Sequence, residues 1–198
     1  LDAPICFSSH LGYKASDFTI LTHDINYKNF LEKHYKQQVK ILPPGGMISE
    51  NPVNINERKY ELTFLGSYGD YRKILTELEG LSVEDKAVGT PLFEKLKLEP
   101  ELTLEAGFDK VIKERGLVMD EDTYLVKLHR VRKVLYAASY YFREKAIKAI
   151  LESGLRLTVF GESFKNSPFA GCENLNICEE VPAERSLEVY ENSKISLN

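Results

Sequence analysis

At 198 residues the chain has room for one good-sized domain or two small ones, and 43% hydrophobic with 28% charged residues is ordinary globular composition. A net charge of −4 leaves no broad basic surface for nucleic acid. No apolar run approaches the roughly 20 residues that span a bilayer, and no signal peptide is recognisable. Three cysteines, Cys6, Cys172 and Cys178, are an odd number and too few for a disulfide framework. Free thiols in a reducing cytoplasm are expected, and the spacing of Cys172 and Cys178 matches no zinc pattern. The chain opens Leu-Asp-Ala-Pro without methionine and closes at Asn198 directly after an apolar run. A piece of a longer protein is therefore expected, with the missing flanking segments of its own chain among its partners.

Residues 17–24 (DFTILTHD) predict a strand, 25–36 (INYKNFLEKHYK) a helix, and QVKILPPGG a second strand stopped by Pro43, Pro44, Gly45 and Gly46. The first fifty residues thus read β-α-β. Asp17 and Asp24 flank the first strand and fit caps better than a catalytic pair. Residues 47–58 are polar and read as a linker.

Residues 60–80, YELTFLGSYGDYRKILTELEG, carry the first functional signal. Leu62–Leu65 predict a strand and Gly66-Ser67-Tyr68-Gly69 a turn. Asp70 is placed to cap a helix from Tyr71 to Glu79, ended by Gly80. A strand, a glycine-bearing turn and a helix N-terminus together offer backbone N–H groups and a dipole to an anion. Arg72 and Lys73 in the first turn oppose the dipole preference and make more sense beside an anion. The plainer alternative is a routine turn with solvated basic side chains, since GSYG is not the full dinucleotide fingerprint.

Residues 81–153 predict a large helical insert: a short helix over Leu92–Leu98, an amphipathic one from Leu104 to Arg115, and a long one over Asp120–Glu152 with a break near Ala138-Ser139. Gly154 is its expected C-cap. His129 reads as a surface or partly packed histidine.

LRLTVF then gives a strand, Gly161-Glu162-Ser163 a turn, NLNICEEV a short strand, Pro182 the start of a helix, and KISLN a last strand. Alternation of this kind is the mark of a parallel α/β sheet, in which ligands bind at the carboxyl ends of the strands. If the strands before Gly66 and Gly161 are neighbours, one rim carries Gly66, Ser67, Tyr68, Arg72, Gly161, Glu162 and Ser163, with Val181 in the next loop. Backbone amides and Arg72 would meet phosphate, Glu162 a hydroxyl, and the Val181 loop a flat base.

The order FLGSYGDYRKIL, then FREKAIKAILESGLRLTVFGESF, then EEVPAERSLEVYENSKISLN resembles the CgeB-like glycosyltransferases, a group first named for a spore maturation protein and similar to the group 1 glycosyltransferases of GT-B fold. The matching positions are Gly66-Ser67 with Arg72, Arg143 before Gly161, and Val181, Glu184 or Glu188, Tyr190, Ser193 and Asn198. The resemblance extends to the first fifty residues, where Pro44 replaces the histidine of a Pro-His-Gly-Gly-like turn. It implies a Rossmann-like donor-binding domain over 51–198 with an insert at about 81–153, and the end of an acceptor-side domain over 1–50. It also implies a nucleotide-sugar donor such as a UDP-sugar, an unidentified sugar acceptor and no essential metal. The donor site would comprise Gly66, Ser67, Tyr68, Arg72, Gly161, Glu162, Ser163, Val181 and Tyr190, with no catalytic residue assigned. The acidic residue expected to follow "LN" lies beyond Asn198, so little transferase activity is expected of this piece alone. The alternative is a non-catalytic nucleotide-binding or assembly module of the same fold. A flavodoxin-like or phosphate-handling domain ranks third, and no nucleophile elbow, P-loop or zinc motif is present.

Overall fold

A computed structural model describes residues 19–43, 45 and 52–197. In chain order its elements are β1 (Ile20–Thr22), α1 (Ile25–Tyr35), β2 (Val39–Ile41), β3 (Tyr60–Leu65), α2 (Tyr71–Glu79), α3 (Val83–Leu98), α4 (Leu104–Glu114), α5 (Glu121–Val131), α6 (Lys133–Glu152), β4 (Leu157–Phe160), β5 (Leu175–Cys178), α7 (Ser186–Glu191) and β6 (Ser193–Leu197). Two compact units divide the chain, Leu1–Gly46 with Glu77–Leu135 and Met47–Thr76 with Tyr136–Asn198. Most of the segment expected as an insert in the second domain groups with residues 1–46. Its last part, from Tyr136, groups with the second unit.

In the first unit β1 and β2 pair in parallel across α1, the expected β-α-β. The first strand is shorter than expected, and Asp17 and Phe18, like Cys6, Pro44 and Gly46, lie outside the described residues. Asp24 is the cap foreseen for it: its Oδ1 accepts the N–H groups of Asn26 at 2.7 Å and Tyr27 at 3.2 Å. Phe30 and Leu31 are the buried side of α1.

The helices of this unit depart from expectation at two points. α3 begins at Val83 rather than Leu92 because Ser82 caps it, accepting the Asp85 N–H at 3.1 Å, and the helix then runs through Pro91. The expected break near Ala138-Ser139 falls instead at Arg132, between α5 and α6. Ala137 and Ala138 are buried, and alanine favours the helix there. At Arg132 the ladder tightens: its N–H reaches the His129 carbonyl and its guanidinium donates to the same oxygen at 2.8 Å. His129 is partly buried, as expected. Val88, Leu92, Phe93 and Leu96 of α3 are buried, as are Leu104, Phe108 and Val111 of α4 and Leu128 and Val131 of α5, so each helix contributes one apolar face.

The second unit is α/β. Its four strands are all parallel in the order β5-β4-β3-β6. Register explains the layers, because successive residues of a strand face opposite sides. Leu175, Leu157, Leu62 and Ile195 form one row across the sheet, and Ile177, Val159, Phe64 and Leu197 another. Except for Ile195, these rows join Ile147 and Leu151 of α6 with Phe164 and Phe169 in the core. Between them runs a polar row, Asn176, Thr158, Thr63 and Ser196, which belongs to the opposite face. The Thr63 hydroxyl is satisfied there by Ser193 at 2.8 Å and Ser196 at 2.9 Å. β5 stops at Cys178, short of the NLNICEEV expected for it, and Pro182 precedes a three-residue 3₁₀ turn, Ala183–Arg185, before α7. Asn198 lies outside the described residues.

Candidate functional site

The carboxyl ends of β3 and β4 are adjacent, Leu65 opposite Phe160, so Gly66 and Gly161 follow as neighbours on one rim. The Gly66 N–H donates to the Phe160 carbonyl at 3.2 Å. Gly66 has φ of +150°, a conformation that side chains rarely adopt. Gly161 has φ of 173°, open to any residue, and its requirement is space: a Cβ there would stand 3.1 Å from the Gly66 carbonyl carbon and closer still to the oxygen.

The two turns are also joined by side chains. Ser163 Oγ accepts the Tyr68 N–H at 2.7 Å. The Tyr68 ring lies 5.7 Å from that of buried Phe164, and Phe164 meets Phe64 edge-on at 5.8 Å. Asp70 holds the start of α2, its Oδ1 accepting the Arg72 N–H at 3.1 Å. Glu162 pairs with Lys165 at 2.6 Å on the exposed 3₁₀ turn after Gly161.

Arg72 does not stand open. Its guanidinium grips Glu144 of α6 through two bonds, Nη1 to Oε2 at 2.8 Å and Nη2 to Oε1 at 2.7 Å. The Tyr68 hydroxyl donates to the same Oε2 at 2.7 Å. The Arg72 hydrogen bonds hold the Glu144 carboxyl below its ordinary value, while burial and the Glu144 carboxylate push the Tyr68 hydroxyl up. One helical position earlier, the Arg143 guanidinium donates to the Ser67 carbonyl at 3.0 Å and stands 5.0 Å over the Phe64 ring. Each polar role assigned to an incoming phosphate therefore has a protein group near it. Ser163 takes an amide of the turn, and Glu144 takes the arginine.

Of the nine residues expected at the donor site, Gly66, Ser67, Tyr68, Gly161, Glu162 and Ser163 lie on the two adjoining strand exits, and Arg72 lies in the first turn of α2 that follows one of them. Val181 follows β5 and lines an open groove of about 480 Å3 together with Phe160, Ile177, Tyr60, Cys178 and Val189. Tyr190 is exposed on α7 and lines neither that groove nor the turns. Glu144 escaped the sequence reading because it sits in a run of alternating charge, which ordinarily marks a solvated face. Arg143 stood out only through the family resemblance.

Cys172 and Cys178 are free thiols. Among the described residues no group of three or more His, Cys, Asp or Glu side chains could hold a metal ion. Among them, too, no helix is long and apolar enough to cross a membrane. Comparison of the chain with protein-family models, curated proteins and solved structures gives no match.

Proposed function

We propose that the rim formed by Gly66–Arg72 and Gly161–Ser163 binds the diphosphate of a nucleotide-sugar, in the donor-binding, Rossmann-like part of a metal-independent, cytoplasmic glycosyltransferase similar to the CgeB-like group. The observation that carries the reading is the pair of glycines at adjoining strand exits of an all-parallel sheet, where α/β sheets bring ligands to backbone. The nucleotide would approach the Gly66 and Gly161 turns, with Arg72 released from Glu144 to meet phosphate and Glu162 available to a hydroxyl. Titrating the chain with UDP and UDP-glucose by calorimetry and by amide NMR tests it. Saturable binding with shifts confined to 66–72 and 161–163 is expected. Absence of binding at millimolar ligand, or shifts centred elsewhere, overturns the reading.

The internal pairing of Arg72 with Glu144 favours a second reading, a non-catalytic binding or assembly module of the same fold. Nucleotide binding without turnover of a UDP-sugar, in a chain carrying all flanking sequence, would select it.

A further inference from the structure

A separate cleft of about 650 Å3 opens beside the amino ends of β3, β4 and β6. It is lined by four cations, Arg58, Lys59, Arg156 and Lys194, against two carboxylates, Glu61 and Glu173. A local excess of positive charge in a chain of net charge −4 runs against the average of its surface. Among the described residues Lys59, Arg156 and Lys194 form no ion pair. Arg58 is fixed in place, with Nε donating to the Val53 carbonyl at 3.2 Å and Nη1 to the Ser193 carbonyl at 2.8 Å. Such a guanidinium is oriented before any ligand arrives.

Two residues of the sheet's polar row, Thr158 and Asn176, contribute to this cleft. They stand opposite one another in register. A parallel sheet is ordinarily apolar on both faces because helices cover both. Here the row that faces away from the core offers a hydroxyl and an amide instead, which a covering helix would leave without partners. Tyr60 also lines the cleft.

We propose that this cleft binds a phosphorylated sugar or polyol, at a place distinct from the Gly66–Gly161 rim and independently of the function proposed for it. The cations receive the phosphate. Glu61, Glu173, Asn176 and Thr158 exchange hydrogen bonds with hydroxyl groups, and Tyr60 covers an apolar sugar face. The mixture of both charges with neutral donors argues against a bare polyanion track, which would have no use for the two carboxylates.

The test uses the full chain labelled with nitrogen-15 and four probes: glucose 6-phosphate, glucose, inorganic phosphate and a single-stranded oligonucleotide. Glucose 6-phosphate is expected to shift the amides of Thr158, Asn176 and Lys194 and to saturate. Replacing Lys59→Gln, Arg156→Gln and Lys194→Gln together is expected to weaken it by roughly tenfold or more, since charge-assisted bonds to phosphate are lost. These exposed side chains anchor nothing in the core, and an unchanged spectrum away from the cleft will show that the fold is kept. Glucose and phosphate are each expected to bind roughly tenfold more weakly than the joined molecule. No shift at the cleft, unchanged affinity in the triple variant, equal binding of inorganic phosphate, or tighter binding of the oligonucleotide would each overturn the proposal.

Discussion

Gly161 faces the carbonyl of Gly66 with no room for a side-chain carbon between them: a Cβ would lie 3.1 Å from the carbonyl carbon and nearer to the oxygen. The obstacle is backbone, held by the Gly66 N–H to Phe160 bond, so it cannot turn aside. Gly161→Ala is expected to destabilise the protein by about 1–3 kcal/mol, the range for overpacking. Gly171→Ala is the control, because nothing lies within 4 Å of a Cβ there. Urea unfolding of both variants checks the contrast, and equal midpoints would show that the turns separate without penalty.

Arg72 and Glu144 provide a second measurement. The arginine side chain is 52% exposed and the glutamate 16%, so the coupling is expected to be modest despite its two-point geometry, about 0.5–1 kcal/mol in a double-mutant cycle of Arg72→Ala and Glu144→Gln. The Glu144 carboxyl titrates below its ordinary value in the folded protein. Its contribution is therefore complete above the unfolded carboxylate pKa and fades as pH falls through the lower folded one. Carboxyl NMR across the acid range, with and without Arg72→Ala, should show the Glu144 midpoint rise in the variant.

Phe164 joins the site to the core. It is 0% exposed and packs between the Phe64 and Tyr68 rings. Phe164→Ala is expected to cost about 3–5 kcal/mol. Phe164→Leu, which keeps most of the volume, should cost less and leave the Tyr68 amide bonded to Ser163. Unfolding midpoints and the protection of that amide against exchange report the two effects separately.

In the first unit His34 is held below its ordinary pKa, chiefly by burial and then by Lys33, against the opposing pull of Glu121. The unfolded state takes up the proton first as pH falls. His34 therefore lowers stability progressively once the pH drops below the unfolded histidine value, and the loss levels off below the folded one. His34→Gln is expected to flatten that slope between about pH 5 and 7 in a series of thermal melts. A slope identical to wild type would assign the titration elsewhere.

The sequence carried the second unit's framework because glycine and the capping residues act locally. Gly66 and Gly161 marked strand exits, Asp70 the start of α2, and Gly80 its end, and each signal depends only on residues a turn away. What stayed illegible depended on distant chain. No glycine or proline announces the break at Arg132, where the guanidinium turns back onto the His129 carbonyl of its own helix. α3 runs through Pro91, a residue that ordinarily marks a helix boundary. Glu144 acquires its role only when α6 brings it to Arg72, 72 residues earlier. Val181 was assigned to the rim on the expectation of a longer β5, and the strand ends three residues before it.

The polar row that crosses the sheet also sets an order of events during synthesis. Thr63 on β3 meets Ser196 on β6 across 133 residues of chain. On its other side Thr63 stands opposite Thr158 of β4, 95 residues later in the chain. β3 therefore leaves the ribosome well before either of the strands that flank it in the sheet. Closing such long loops slows folding and leaves an open strand edge exposed meanwhile. The threonine that completes the row in the native sheet is the hydrophilic residue in Leu62-Thr63-Phe64-Leu65, and during that wait it interrupts what would otherwise be an uninterrupted adhesive segment.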